Sequence, residues 1–213
     1  MNVTKMLSKN THHSNGWNPC NYITIHETAN TAKGANAVAH GRYMNNGSSE
    51  TWHFTVDEHM VVQHFDTRVQ CWHCGDGGGK GNTSSIGIEL CVNSGSDFKK
   101  TVDNAVWLIK QLMKQHNVKI DNVVQHNKWS GKNCPTNLRN GSKGVTWNYL
   151  KSQLGTVTKN VSNVKTKVNN NIATMSIDEL VKNTLKGKYG NGNERKKLLG
   201  SRYNDVQKRI NKM

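Results

Sequence analysis

A long helical stripe set among short strand-like segments constrains this chain more than any other feature. Val102, Ala105, Val106, Ile109, Leu112 and Met113 recur at the 3.6-residue period, which predicts an amphipathic helix over roughly Phe98–His116. Before it, Asn21–His26 (NYITIH) alternates apolar and polar residues, and Ile86–Val92 (IGIELCV) reads as a second strand. Trp52–Val56 and Met60–Phe65, joined by Asp57-Glu58-His59, have the pattern of a hairpin. Gly34–Tyr43 carries Ala35, Val38, Ala39 and Tyr43 at helical spacing. Ile120–His126 is a short apolar segment ending on a histidine, and Trp147–Leu154 reads as a final helix. Residues 1–20 are polar and expected to be irregular, while Gly75–Gly81 and Trp129–Cys134 read as loops. Interleaved helices and strands of this kind predict an α/β or α+β domain over residues 1–154.

The pattern breaks at Gly155. Gly155–Thr174 has neither an acidic nor an aromatic residue and reads as a linker, although Val157, Val161, Val164 and Val168 have the spacing of a short pairing helix. Beyond it, Ser176 and Glu179 form a capping-box pattern with a Met175–Leu180 staple. Helices are expected at about 177–186, 193–199 and 203–211. Leu180, Val181, Leu185, Tyr189, Leu198, Leu199, Tyr203, Val206 and Ile210 would be their shared core. A unit of about 40 residues is near the lower limit for independent folding.

Composition limits the function classes. No stretch of the 213 residues approaches the roughly 20 apolar residues that span a bilayer, so membrane insertion is not expected. The first twenty residues lack an apolar core and a small-residue cleavage site, so no secretory signal is expected; the five cysteines are then expected to be reduced thiols in a cytosol. A net charge of +15 points to an anionic partner, either nucleic acid or a polyanionic surface. Residues 155–213 hold +9 of it.

Chemistry concentrates where strands end. His26 closes NYITIH, His126 closes NVVQH, and Cys134 comes eight residues later in WSGKNCP. Two imidazoles and a thiolate suit Zn²⁺, and three protein ligands leave a fourth position for water. Glu89 alternates with Ile86, Ile88 and Leu90, so it points away from that strand's apolar face, either as a working carboxylate or as a buried, paired one. Cys71-x-x-Cys74 lacks the second CxxC of a zinc ribbon and reads as structural.

In order and spacing, NYITIHETAN, WHFTV, Trp72-His73 with GDG, SIGIEL and the His126–Pro135 stretch resemble the zinc-dependent N-acetylmuramoyl-L-alanine amidases of the type-2 family, which include phage endolysins and bacterial autolysins. The resemblance covers about residues 15–154. It implies a mixed central sheet flanked by helices, with zinc in a surface groove held by His26, His126 and Cys134. It also implies that Glu89 sits beside the zinc-bound water and that Lys132 stabilises the oxyanion; the competing reading of Lys132 is a solvated loop lysine. Many members have Tyr where this chain has Trp52, so no phenol role carries over, although Trp52 would serve as a substrate wall. His73 and Asn82 either line the groove or organise its loop.

Residues 176–213 are similar to the short cell-wall-binding repeat of some phage lysozymes, through Gly187-Lys188-Tyr189-Gly190-Asn191-Gly192-Asn193-Glu194-Arg195. That implies muropeptide binding, with Tyr189 and Arg195 either contacting the ligand or serving the unit's own core and ion pairs. The two resemblances together imply a peptidoglycan hydrolase of endolysin type. Such an enzyme is made in the host cytoplasm and acts on the bacterial wall. The competing classes are a non-catalytic peptidoglycan-binding protein and a basic nucleic-acid-binding protein.

Overall fold

The computed structural model describes residues 1–10, 13–155, 175–186, 188–189 and 192–211. The chain divides into two compact units on either side of the Gly155–Thr156 bond. The linker expected from Thr156 to Thr174, with its valine stripe, lies outside the described residues.

The first unit is built on a six-stranded mixed sheet. Its strands are β1 (Val3–Lys5), β3 (Tyr22–Glu27), β4 (Phe54–Val56), β5 (Val61–Gln63), β7 (Ser85–Leu90) and β8 (Val123–Gln125), in the order β1-β5-β4-β7-β3-β8. β4 and β5 form the expected antiparallel hairpin, and β4, β7, β3 and β8 run parallel. A separate two-stranded ladder pairs β2 (His13–Trp17) with β6 (Val69–Cys71). The N-terminal segment is therefore not irregular throughout. Polar three- and five-residue strands carry little periodicity, and it is pairing with β5 and β6 that makes them strands.

Register fixes the two faces of the sheet. Ile25, Ile88 and Phe54 stand side by side on one face, with Leu90 and Val56. The 19-residue helix α3 (Phe98–His116) contributes Val102, Ala105, Leu108, Ile109 and Leu112 to the same core. Asp97 caps it by accepting from Lys100 N, and Asn117 ends it in the left-handed conformation. Fully burying each such aliphatic side chain stabilises by about 1.5–3 kcal/mol, so this face anchors the sheet. The opposite face carries the row His26, Glu89, Thr55, paired in register.

Shorter helices surround this frame. α1 (Ala37–Asn45) is capped by Asn36, and α2 (Lys80–Ser84) comes after the glycine-rich loop, in part of the segment expected to be loop. α4 (Asn127–Ser130) and α5 (Thr136–Asn140) come after β8, and α6 runs over 147–155. No helix among the described residues is long and apolar enough to cross a membrane.

The second unit contains α7 (Ile177–Leu185), α8 (Gly192–Leu199) and α9 (Tyr203–Ile210). The Ser176 hydroxyl accepts from Glu179 N at 3.2 Å, as the capping pattern requires. Leu180, Val181, Tyr189, Leu199 and Val206 form its core, with Met175, Leu198, Tyr203 and Ile210 packed alongside. Leu185, expected in that core, is 61% exposed. The inward stripe of α7 is Leu180, Val181 and Thr184, and the helix ends at Leu185, on its outer side.

Candidate metal centre

Parallel pairing explains why the chemistry gathers at one edge. The C-terminal ends of β3, β7 and β8 lie together, and they carry His26, Glu89 and, one residue beyond β8, His126. The open edge at the carboxyl ends of parallel strands is where α/β folds generally bind ligands. His126 N donates to Ile25 O at 3.2 Å, extending the β3–β8 ladder as far as the histidine.

Cys134 arrives on the loop between α4 and α5. Trp129 pins that loop to β3, donating from Nε1 to Thr24 Oγ1 at 2.9 Å and meeting the Tyr22 ring edge-on at 5.1 Å. Asn127 closes it: the backbone N donates to Cys134 O, and Nδ2 donates to Gly131 O and Lys132 O. A carboxylate that sequence reasoning missed completes the clamp. Glu27, next to His26 on β3, accepts from Asn137 N, Asn137 Nδ2 and Leu138 N at 2.9, 2.6 and 2.9 Å, across the start of α5. Its one sequence signal was adjacency to a strand-end histidine.

His26, His126 and Cys134 are all buried, and their donor atoms lie within 4.8 Å of one another. His26 Nδ1 and His126 Nδ1 face each other at 2.9 Å, and His26 Nδ1 lies 3.9 Å from Glu89 Oε1. His126 Nε2 sits 2.9 Å from Cys74 O, which only accepts, so the His126 proton belongs on Nε2 and its Nδ1 presents a lone pair. Burial holds His26 well below the usual imidazole range, aided by the neighbouring His73, and lowers His126 as well. Burial, then the Glu89 charge, push the Cys134 thiol up to about 12. Two neutral imidazoles and a thiol that ionises only beside a compensating cation are a donor set that fits Zn²⁺.

Glu89 has its own environment. Burial raises it to about 8, with Lys132 pulling down and Glu27 pushing up, and its Oε2 has no hydrogen-bond partner. Glu89 and Lys132 both line a cleft of about 360 Å³, along with Glu27, Thr28, His40 and Trp52. Trp52 is 6% exposed, and its Nε1 donates to Thr55 Oγ1 at 2.7 Å, so most of its ring is packed and only an edge reaches the cleft. His73 lies against His26, and Asn82 lies behind His73, away from the donor cluster. Asn82 Oδ1 accepts from His73 N and Cys74 N, both at 2.8 Å. All five cysteines are free and buried. In the second unit, Tyr189 is buried with its hydroxyl toward Met175 and Asn183, Arg195 is half-buried, and Asp178 pairs with Arg209 at 3.2 Å.

The fold thus sets a buried His-His-Cys group that could hold a metal ion, with a carboxylate beside it, at the edge of its parallel strands. Residues 16–137 match the N-acetylmuramoyl-L-alanine amidase family, and the chain belongs to that family. Residues 178–213 match the CW_7 repeat. The chain is similar to two N-acetylmuramoyl-L-alanine amidases of Bacillus subtilis (strain 168). It is 51% identical to XlyA over 135 residues, 63% of this chain and 44% of that protein. It is 53% identical to CwlH over 119 residues, 55% of this chain and 48% of that protein. The matches thus span less than half of either relative. The solved catalytic domain of XlyA, 44% identical, superposes with a TM-score of 0.67 and covers 72% of this chain and 99% of that one.

Proposed function

We propose that the chain is a modular peptidoglycan hydrolase of endolysin type. Its first unit would cleave the amide between N-acetylmuramic acid and L-alanine, and its last 39 residues would hold it to the wall. The observation that carries the reading is the convergence of His26, His126 and Cys134 beside Glu89, in a domain of the amidase family. An inactive wall-binding protein has no need of three buried metal donors next to a raised carboxyl. A nucleic-acid role rests on charge alone, and wall polymers account for the same +15. Taken as domains, residues 1–154 are the catalytic unit, 155–174 the linker and 175–213 the wall-binding repeat.

His26 Nδ1, His126 Nδ1 and the Cys134 thiolate would hold zinc. When bound, zinc supplies Lewis acidity, which makes hydroxide available near neutral pH and polarises a carbonyl. Glu89 takes a proton from the attacking water and returns it to the leaving L-alanine amine; a carboxyl near neutral pKa is suited to both steps. The Lys132 ammonium, on the cleft wall, offsets the negative charge that develops on the carbonyl oxygen. Trp52 would contribute apolar wall to the cleft, and Tyr189 and Arg195 belong to the unit that would bind the muropeptide.

Mass analysis of wall digests tests the reaction. New L-alanine amino termini without new reducing sugars are expected, and their absence would remove the amidase assignment. Metal analysis of the full chain is expected to give one zinc, lost in Cys134→Ala. Stoichiometric zinc in that variant would remove Cys134 from the ligand set.

A further inference from the structure

His73 and Cys74 contact both histidines of the metal centre from behind. His26 Nε2 lies 2.9 Å from His73 Nδ1, and His126 Nε2 lies 2.9 Å from the Cys74 carbonyl. Consecutive residues thus engage the outward nitrogens of the two imidazoles whose inward nitrogens face each other. We infer that His73 is a positioning residue for the metal. Its Nδ1 accepts the Nε2–H of His26, which leaves His26 Nδ1 as a lone pair directed, like that of His126, at the cation.

The proton positions of the three rings are linked. The Cys74 carbonyl fixes the proton of His126 on Nε2. For His26 to ligate through Nδ1, its single proton must also sit on Nε2, and the polar atom there is His73 Nδ1. His73 must then carry its proton on Nε2. That Nε2 is buried and has no hydrogen-bond partner among the described residues, so nothing draws the proton of the ring back to Nδ1. Backbone geometry holds the pair rigidly: Asn82 Oδ1 receives both N–H groups, and Asp76 receives the N–H of Asn82 at 3.2 Å.

Gly87 makes room for the arrangement. A Cβ on Gly87 would stand 2.8–2.9 Å from three atoms of the His73 ring, so only glycine at this point of β7 lets the imidazole reach His26. The Cys74 sulfur, 3.1 Å from His73 Nδ1, makes His26, His73 and Cys74 a second group with donor atoms close enough for a metal. That rival occupancy would use His26 Nε2 instead of Nδ1. Two features of the geometry favour the positioning role. His73 Nδ1 is already the partner of the His26 ring, and the opposite nitrogen of that ring faces His126 Nδ1 at 2.9 Å, beside Glu89.

This inference rests on the proposed metal centre, so the wild-type full chain is measured first. Failure of the wild type to bind zinc would refute the centre itself. With binding established, zinc affinity is compared by chelator competition in His73→Asn and His73→Gln, together with the Co²⁺ ligand-field spectrum. Asn offers its oxygen where His73 has Nδ1, whereas Gln reaches the position of Nε2. Outer partners of metal-bound histidine typically govern affinity about 10–100-fold, so His73→Gln is expected to weaken zinc by that factor and His73→Asn to recover most of it. Equal affinity in wild type and both variants would overturn the inference. So would two metals per chain in the wild type falling to one in either variant, since His73 would then be a ligand. Nitrogen chemical shifts of the zinc-loaded wild type provide a check that needs no variant. Protons on Nε2 of both His26 and His126 are expected, and a Nδ1 proton on His26 would overturn the assignment.

Discussion

Glu89 is set among four neighbours of two kinds. In register it lies beside His26 and Thr55, in charge it lies between Lys132 and Glu27, and one of its oxygens is free of protein partners. A strand carboxylate kept for structure would have both oxygens paired, because an unpaired buried acceptor costs about 1–3 kcal/mol. Glu27 is the contrast, since its two oxygens take three hydrogen bonds and tie down α5. Glu89→Gln keeps the shape of the side chain and removes the base. Zinc content is expected to match wild type and the thermal midpoint to be no lower, because Gln removes a carboxyl whose charged form burial disfavours. Turnover on soluble muropeptide should fall about 10²–10⁴-fold, the usual worth of a general base. Near wild-type turnover in this variant would move the proton-accepting role to another group.

At the scale of elements, histidines bind the sheet together. His53 Nε2 donates to Val69 O at 2.8 Å, while its Nδ1 accepts from Gly87 N at 2.9 Å, so one neutral ring links β7 to β6. His64 Nε2 meets Thr55 Oγ1 at 2.9 Å. Burial lowers both rings to about 4 from an ordinary value near 6.5. The unfolded chain therefore takes up protons at higher pH than the folded one. Their contribution to stability is complete above about pH 6.5 and is lost as pH falls toward 4, by up to about 3 kcal/mol for each ring. Glu89 works the other way: with its pKa raised to about 8, the folded state gains protons first as pH falls from 8 to 4.5. Seven histidines are shifted downward against that one carboxyl, so the histidines decide the sign. Denaturant midpoints of chelated protein should be clearly lower at pH 5 than at pH 7, and a midpoint that rises on acidification would contradict this account.

On the scale of the whole molecule, two units of unequal size divide the proposed work. Each has its own buried cluster, one around the sheet and α3 and one among α7, α8 and α9. A chain ending at Gly155 is expected to fold, bind zinc and cleave soluble muropeptides at the full-length rate. The XlyA catalytic domain, solved by itself, has the same extent as this unit. The truncated chain is expected to lyse whole cells less well and to leave the wall more readily. The difference should be largest at moderate salt, where attraction between exposed charges is screened and specific attachment remains. Equal whole-cell lysis and wall retention by the two forms would show that the second unit is not an anchor. A zinc-free or unfolded 1–155 chain would show that the units depend on each other.

The sequence by itself determined the features that depend on local periodicity and residue chemistry. α3 was legible because six apolar residues mark a single face over about three turns, and the β4–β5 hairpin because alternation brackets a short turn. His26, His126 and Cys134 stood out as candidate donors through their residue types and, for the two histidines, through their positions at strand ends. Two kinds of feature were decided only by the tertiary structure. Strands β1 and β2 exist through pairing across the chain, which polar segments three to five residues long cannot encode locally. The setting of the donors is likewise non-local. The His26 ring is oriented from 47 residues away by His73, its loop partner Cys134 is held through Glu27 across 110 residues, and His53 serves the sheet instead of the cleft. Hydrogen bonds of that sequence separation leave no periodic trace, because they depend on which strands become neighbours in space and not on the order of residues along the chain.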